Sequence, residues 1–114
     1  MGTNNKNSTR YYSNIQEKRV AKNLNGKRVA NSGATPYKAG DVFLNDFLVE
    51  CKTVVSPCKQ VSIKKEWLTK GTEEAFSMGK SSSLLVFDFG DGQDFVALRL
   101  EDFKKILFRL GELK

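Results

Sequence analysis

The chain has 114 residues and a formal net charge of +6, with 39% hydrophobic and 28% charged residues. This length allows one domain with a single modest core, and the composition is typical of a soluble globular protein with no apolar run long enough to span a membrane. Histidine is absent, which excludes catalysis by a Ser–His–Asp triad or a Cys–His pair.

The positive charge is concentrated in the first third of the chain. Residues 1–40 contain eight Lys or Arg and a single acid, Glu17, whereas residues 41–114 contain eleven basic and twelve acidic residues. A concentrated basic region attracts a polyanion, and nucleic acid is the partner we expect. The alternative is that these residues only keep a small domain soluble.

The polar N-terminus predicts a disordered basic arm over residues 1–9, followed by a single domain over residues 10–114. It lacks the apolar core of a signal peptide, so we expect a cytoplasmic protein with reduced cysteines. Cys51 and Cys58, with no histidine, make an improbable zinc site. Carboxylates and an oxygen-preferring cation, Mg²⁺ or Mn²⁺, remain as the available metal chemistry.

The hydrophobic pattern predicts eight elements in the order α-β-β-β-α-β-β-α. These are a helix over residues 11–24, a strand over 27–31, a hairpin over 41–52, a helix over 63–78, strands over 84–89 and 95–100, and a C-terminal helix with Phe103, Ile106, Leu107 and Leu110 on its apolar side. A loop rich in small residues, 32–40, leads into the hairpin. This order predicts an α/β sandwich, with a mixed central sheet of about five strands flanked by helices.

The hairpin carries the most informative charged residues. If Asn45 and Asp46 form its turn, Asp41 lies opposite Glu50 with the two Cβ atoms about 5 Å apart. Lys52 then lies on the same face as Glu50, because strand side chains alternate. Two facing acids repel unless a cation lies between them, so the pattern predicts a divalent-metal site with an ammonium beside it. The alternative is an exposed strand face on which Lys52 partly neutralises the acids.

A third carboxylate is available from the first helix. Glu17 lies in the middle of that helix, and next to the hairpin it would complete a three-oxygen cluster with Asp41 and Glu50. Alternatively, it makes an intrahelical ion pair of small energetic value on the helix surface.

Together these features resemble the PD-(D/E)XK nuclease superfamily. They are the helix with Glu17, the short strand, the loop with Ser32 and Gly33, the Gly40-Asp41-Val42 opening of the hairpin, and the Val-Glu-Cys-Lys segment 49–52. The closest likeness is to the small Holliday-junction resolvases of archaea and their viruses, over about residues 11–89. The resemblance implies a restriction-endonuclease-like fold. Gly40 replaces the proline that names the motif, at a position that is loosely held across the superfamily.

The resemblance also implies a role for each matching residue. The implied metal ligands are Glu17, Asp41, Glu50 and the backbone carbonyl of Cys51. Lys52 matches the lysine that orients or activates the attacking water, and Ser32 matches a serine implicated in catalysis. The implied cofactor is Mg²⁺, with Mn²⁺ able to substitute, and the implied products carry a 5′ phosphate and a 3′ hydroxyl. If the chain is viral, its location is the host cytoplasm.

We therefore expect a nuclease that acts on branched DNA as a homodimer, because paired cuts across a four-way junction need two sites. Apolar residues of the C-terminal helix or of strand 84–89 are candidates for the dimer interface. The candidate phosphate contacts are Lys18, Arg19, Lys22, Lys27, Arg28, Lys38, Lys59, Lys64 and Lys65. One alternative is another nuclease of this superfamily (restriction-like, repair or replication-associated) that cuts flaps or duplex, and a second is a non-catalytic DNA-binding protein.

Overall fold

The computed structural model describes residues 9–29 and 40–114, which form three helices and five strands. The helices are α1 (Thr9–Leu24), α2 (Lys65–Ser77) and α3 (Leu100–Arg109); the strands are β1 (Lys27–Arg28), β2 (Val42–Phe43), β3 (Phe47–Lys52), β4 (Ser82–Phe87) and β5 (Phe95–Ala97). The predicted order of elements is confirmed, although Thr9 already belongs to α1 and not to the N-terminal arm. The rest of that arm, and the candidate residues Ser32 and Lys38, lie outside the described residues.

The five strands form one mixed sheet in the order β1-β2-β3-β4-β5. All neighbouring pairs are antiparallel except β3 and β4, which are parallel. A parallel pair needs a crossover connection, and α2 supplies it. The predicted α/β class and the mixed five-stranded sheet are therefore confirmed. Among the helices in the described part of the chain, none has the length and apolar character needed to cross a membrane.

The register of the β2–β3 hairpin is the one predicted from its turn. Val42 pairs with Val49 and Phe43 pairs with Leu48, while the backbone amide of Leu44 donates to the carbonyl of Phe47 at 2.9 Å. One-residue slippage would move every apolar side chain of β3 to the wrong face, so burial fixes this register.

Helices α1 and α2 pack on opposite faces of the sheet. On the α1 face, the core consists of Val20, Val42, Val49, Cys51 and Val86. On the α2 face, Leu48 and Leu85 are almost fully buried, and Gly71 of α2 allows close approach to Ser83. Because side chains alternate along β3, Glu50 and Lys52 lie on the α2 side while Cys51 lies in the core.

Several predicted boundaries are wrong: β1 ends at Arg28, α2 spans Lys65–Ser77 and β4 ends at Phe87. The start of β4 and the end of β5 are also wrong, and one contact explains both. β4 begins at Ser82, two residues before the predicted start, and β5 ends at Ala97. Ser82 can be buried because its hydroxyl donates to the Asp102 carboxylate at 2.5 Å. That contact anchors the first turn of α3, so the helix starts at Leu100 and β5 ends before it, at Ala97.

The apolar side of α3 was predicted correctly, but it does not pack against the described sheet. Leu100 and Leu110 are 70% and 72% exposed, and Phe103 is also exposed. Asp102 is the buried residue of this helix. The helix is thus held at its first turn by polar contacts and leaves an apolar stripe open to solvent.

Gly40, at the position of the superfamily proline, has a φ of +80°. Proline fixes φ near −65°, so it cannot adopt the backbone conformation found here. A Cβ atom at this position would also lie 2.5 Å from Cδ1 of Leu48. The chain therefore turns into β2 through a left-handed residue packed on Leu48, which a proline would not allow.

We expect Gly40→Pro and Gly40→Ala to lower the free energy of unfolding by about 2–4 kcal/mol, because both add backbone strain and crowd Leu48. Urea denaturation measures this. Gly79→Ala is the matched control, since Gly79 has a φ of +75° with no atom within 4 Å of an added Cβ; we expect it to cost only about 1 kcal/mol. If alanine at Gly40 and at Gly79 lowered the free energy of unfolding equally, crowding of Leu48 would not explain the cost at Gly40.

Candidate active site

Asp41 and Glu50 lie side by side where β2 and β3 meet. Asp41 immediately precedes β2, and its backbone amide donates at 2.8 Å to the carbonyl of Val49, the residue that pairs with Val42. The Asp41 carboxylate accepts a hydrogen bond from the amide of Cys51 at 2.7 Å. A side-chain hydrogen bond also joins Glu50 and Asp41, and it stabilises a proton on Glu50. The predicted juxtaposition of the two acids is therefore present.

The two carboxyl groups are held where negative charge is costly. Burial raises the pKa of Asp41 above its ordinary value. Burial, followed by the negative charge of Asp41, raises the pKa of Glu50 to about 7, and Glu74 of α2 contributes in the same direction. Half-buried acids that repel one another are stabilised either by a proton on one of them or by a cation between them. Their oxygen ligands fit a hard divalent ion such as Mg²⁺.

Lys52 is held between Glu50 and an aromatic ring. Its Nζ lies 3.8 Å from Oε2 of Glu50 and 4.7 Å from the ring centre of Trp67 in α2. A cation over an indole face is stabilised by about 0.5–2 kcal/mol. The side chain remains 37% exposed, so the ammonium is restrained and still accessible from solvent.

Glu17 is close enough to influence this pair but has another partner. Burial raises the pKa of Glu17, and the charge of Asp41 adds to that effect. The Glu17 carboxylate, however, accepts a hydrogen bond from Arg28 at 3.0 Å. Within residues 9–29 and 40–114, no three acidic or cysteine side chains come together in an arrangement that holds a metal. The structure thus brings two of the three predicted carboxylates together, and Arg28 engages the third.

Cys51 lies between Glu50 and Lys52 in β3, and its side chain lies in the core. Burial raises the pKa of its thiol, so the sulfur remains protonated and does not act as a thiolate ligand. Any contribution of Cys51 to a metal site would come from its backbone carbonyl.

A polar residue of α1 fixes the end of β3. Gln16 is 1% exposed, and its Nε2 donates to the backbone carbonyl of Lys52 at 2.8 Å. Its Oε1 is buried with no hydrogen-bond partner in the described part of the chain. Gln16 therefore positions the backbone of Lys52 from the opposite face of the sheet to Trp67.

Arg19 belongs to an internal network and not to an open surface. Its guanidinium makes two hydrogen bonds to Asp94, at 2.7 and 2.8 Å, and one to Asp88 at 2.9 Å. Asp88 also accepts a hydrogen bond from Thr53 at 2.7 Å. These contacts tie α1 to the segments that follow β3 and β4. These bonds engage Nε and Nη2 of Arg19, and the contact of Arg19 with phosphate stays a prediction.

The remaining basic candidates divide into two groups. Arg28 is committed to Glu17 and Asn14. Six lysines are exposed: Lys18, Lys22, Lys27, Lys59, Lys64 and Lys65. Those of α1 and those around the start of α2 lie on helices at opposite faces of the sheet, so the charge does not form one patch on a single face.

Sequence reasoning missed Gln16, Glu74 and the contact of Trp67 with Lys52. A glutamine four residues before Val20 lies on the buried side of α1, which is a signal for a structural polar contact. Trp67 follows Lys64 and Lys65 closely in the sequence. Aromatic residues interleaved with basic ones are typical of nucleic-acid contact surfaces.

Glu50→Gln is expected to stabilise the protein at pH 8 and to have little effect below pH 4.5. The pKa of Glu50 in the folded protein, about 7, lies above its ordinary value of 4.5, so folded stability is lost as the pH rises through this window. One pKa unit corresponds to about 1.4 kcal/mol, and after solvent screening we expect a gain of about 1–3 kcal/mol at pH 8. Urea denaturation across this pH range measures it.

The matched control for this prediction is Glu73→Gln, which removes an exposed carboxylate from α2. We expect its effect on the free energy of unfolding to be small and constant with pH. If Glu50→Gln raised the free energy of unfolding equally at pH 4.5 and pH 8, ionisation of Glu50 would not be what destabilises the folded protein.

Comparison of the chain with family models, with curated proteins and with solved structures finds no match. The assignment to the PD-(D/E)XK superfamily therefore stays a prediction carried by the residues of the motif. The geometry around Asp41, Glu50 and Lys52 is the basis on which a function is inferred.

Proposed function

We propose that this protein is a metal-dependent DNA endonuclease that cuts branched DNA, with the four-way junction as its substrate. The observation that supports this most is the Asp41–Glu50 pair with the Lys52 ammonium 3.8 Å from Glu50. The raised pKa values of both acids add to it, since a structural ion pair would normally lower them. On an exposed strand face with balanced charges, the pKa values of the acids would not be raised in this way.

Asp41 and Glu50 would hold a divalent cation through their carboxylate oxygens, with the Cys51 carbonyl beside them. When bound there, Mg²⁺ supplies charge neutralisation at the phosphodiester and a water that is more easily deprotonated. Glu17 would join these ligands only after exchanging its hydrogen bond with Arg28. The loss of that ion pair would leave Arg28 free to contact a DNA phosphate.

Lys52 would act on the substrate and not on the metal. Its ammonium, held by Trp67 and Glu50, can donate to the attacking water and offset negative charge that develops on the phosphate oxygens. Because Gln16 fixes the backbone carbonyl of Lys52, the side chain starts from a defined position. A restrained donor loses less free energy to reorganisation during the reaction.

DNA binding would use the exposed lysines on both helices. Lys18 and Lys22 belong to α1, while Lys64 and Lys65 lie at the start of α2. Charges placed on two sides of the Asp41–Glu50 pair suit a branched substrate, whose arms diverge from the cutting point, better than a straight duplex. The affinity of the protein for DNA is expected to fall as salt is added, because counterion release then contributes less free energy.

The homodimer would form through the apolar stripe of α3. Leu100, Phe103 and Leu110 recur on one side of this helix and are exposed. The edge strand β5 adds exposed Phe95 and Val96. Contiguous exposed apolar residues mark interaction sites, and a second copy is the occupant that a two-fold junction requires.

Asp41→Asn, Glu50→Gln and Lys52→Met should each reduce Mg²⁺-dependent cleavage of a synthetic four-way junction by roughly 100-fold or more, because each removes a charge that acts in the transition state. Junction binding should persist in all three variants. Gel analysis of end-labelled strands measures cleavage, and fluorescence anisotropy measures binding.

Asp46→Asn is the control for these variants, since Asp46 is an exposed acid in the turn of the same hairpin; it should cut at the wild-type rate. A protein that binds junctions and never cuts them, in the wild type as in the variants, would instead be a non-catalytic DNA-binding protein. Comparison of flap, duplex and junction substrates distinguishes a junction resolvase from another nuclease of the superfamily.

Phe103→Glu and Leu110→Glu should convert the dimer to a monomer, because each places a charge in the apolar stripe. Sedimentation velocity should then report half the wild-type mass, and junction cleavage should change from paired cuts to single nicks. Lys105→Glu, on the opposite side of α3, should remain dimeric. A wild-type protein that is already monomeric at micromolar concentration would contradict the proposed interface.

A further inference from the structure

A cavity adjoins Lys52 on the α2 side of the sheet and has no part in the chemistry described above. Its volume is about 230 Å³, which is below the roughly 300–1,000 Å³ of pockets for drug-sized ligands. It suits a single planar ring system. The residues that bear on its chemistry are Lys52, Gln60, Ser62, Ile63, Trp67 and Phe87.

The walls of the cavity combine an aromatic ring with positive charge. Trp67 is half-buried, and two ammonium groups lie over its ring, Lys52 at 4.7 Å and Lys64 at 6.0 Å from the ring centre. Ile63 and Phe87 add apolar surface. Lys52 lines the cavity, whereas Lys64 approaches the same ring without lining it. A flat apolar slot with a cation in its wall matches a nucleotide, whose base is a π system and whose neighbouring phosphates are anions.

The rim supplies polar groups that are not used elsewhere. Gln60 and Ser62 are exposed, and neither side chain is hydrogen-bonded within the part of the chain that the structure describes. An amide side chain offers one acceptor and two donors to the edge of a base. Asp88, by contrast, accepts hydrogen bonds from Arg19 and Thr53, so its side chain is fixed where it lines the cavity.

We propose that this cavity accepts one unpaired nucleobase of the DNA substrate, stacked on Trp67, next to the phosphate held at Lys52. This inference rests on the proposed nuclease function. A base within a duplex is stacked on both sides and cannot enter a pocket unless it is extruded. An unpaired base at a branch point or in a single-stranded flap is already free to leave the stack. The cavity would therefore select branched or unpaired DNA over continuous duplex.

Trp67 is the only tryptophan in the chain, which also has three tyrosines, so tryptophan emission, excited selectively over tyrosine, reports on this cavity. The wild-type protein is titrated, in EDTA so that nothing is cut, with a four-way junction carrying an unpaired base at its crossover and with a linear duplex of the same sequence. Fluorescence anisotropy of a label on the DNA reports binding. We expect junction binding to quench the Trp67 emission by about half and duplex binding to leave it nearly unchanged.

Three substitutions add a second readout. Trp67→Leu should weaken junction binding about tenfold relative to duplex binding, whereas Trp67→Phe, which keeps an aromatic face, should stay within about threefold of the wild type. Phe76→Leu removes an exposed aromatic ring elsewhere on α2 and should change neither affinity. Thermal melting identifies any variant that fails to fold. In that case the quenching of Trp67 emission in the wild-type protein still tests the base site.

The outcomes separate this inference from the nuclease function. Quenching by the junction without cleavage in Mg²⁺ supports the base site and overturns the catalysis. Cleavage in Mg²⁺ with no quenching, or with equal quenching by duplex, overturns the base site alone. Failure to bind either DNA overturns both.

Discussion

The structure around the candidate site depends on one unfavourable pairing, that of Asp41 with Glu50 across the β2–β3 hairpin. Asp41, next to β2, and Glu50, in β3, have half-buried side chains that interact directly with each other. Burial, followed by the negative charge of Asp41, raises the pKa of Glu50, so the two carboxylates cannot both ionise without cost. The amide of Cys51 offsets part of the negative charge on Asp41. A cation is the most direct way to offset the rest.

Both flanking helices act on the lysine beside this pair. From α1, the amide of Gln16 holds the backbone carbonyl of Lys52; from α2, the ring of Trp67 contacts its ammonium. The Arg19 contacts with Asp88 and Asp94 keep α1 attached to the loops at this end of the sheet. A group with both its backbone and its charged end restrained is typical of a functional site, where the supporting residues fix the reactive one.

Much of this was predictable because it is local. The alternating apolar pattern and the Asn45–Asp46 turn together determine the hairpin register, and that register determines the Asp41–Glu50 contact and the side on which Lys52 lies. Helix α1, the α2 crossover and the α/β class follow from periodicity in the same way. The boundaries of β4 and β5 were wrong, since the burial of Ser82 depends on Asp102, which is distant in sequence.

What the amino-acid sequence alone determined is the pair of acids, the adjacent lysine and the sheet that carries them, because neighbouring strands joined by a tight turn leave few alternative arrangements. Only the tertiary structure decided the partners of the long side chains. Arg28 binds Glu17, Arg19 turns inward to two aspartates, and Trp67 lies against Lys52. The physical reason is that long charged and aromatic side chains reach across elements, so their contacts depend on the relative positions of helices and strands that no local pattern encodes.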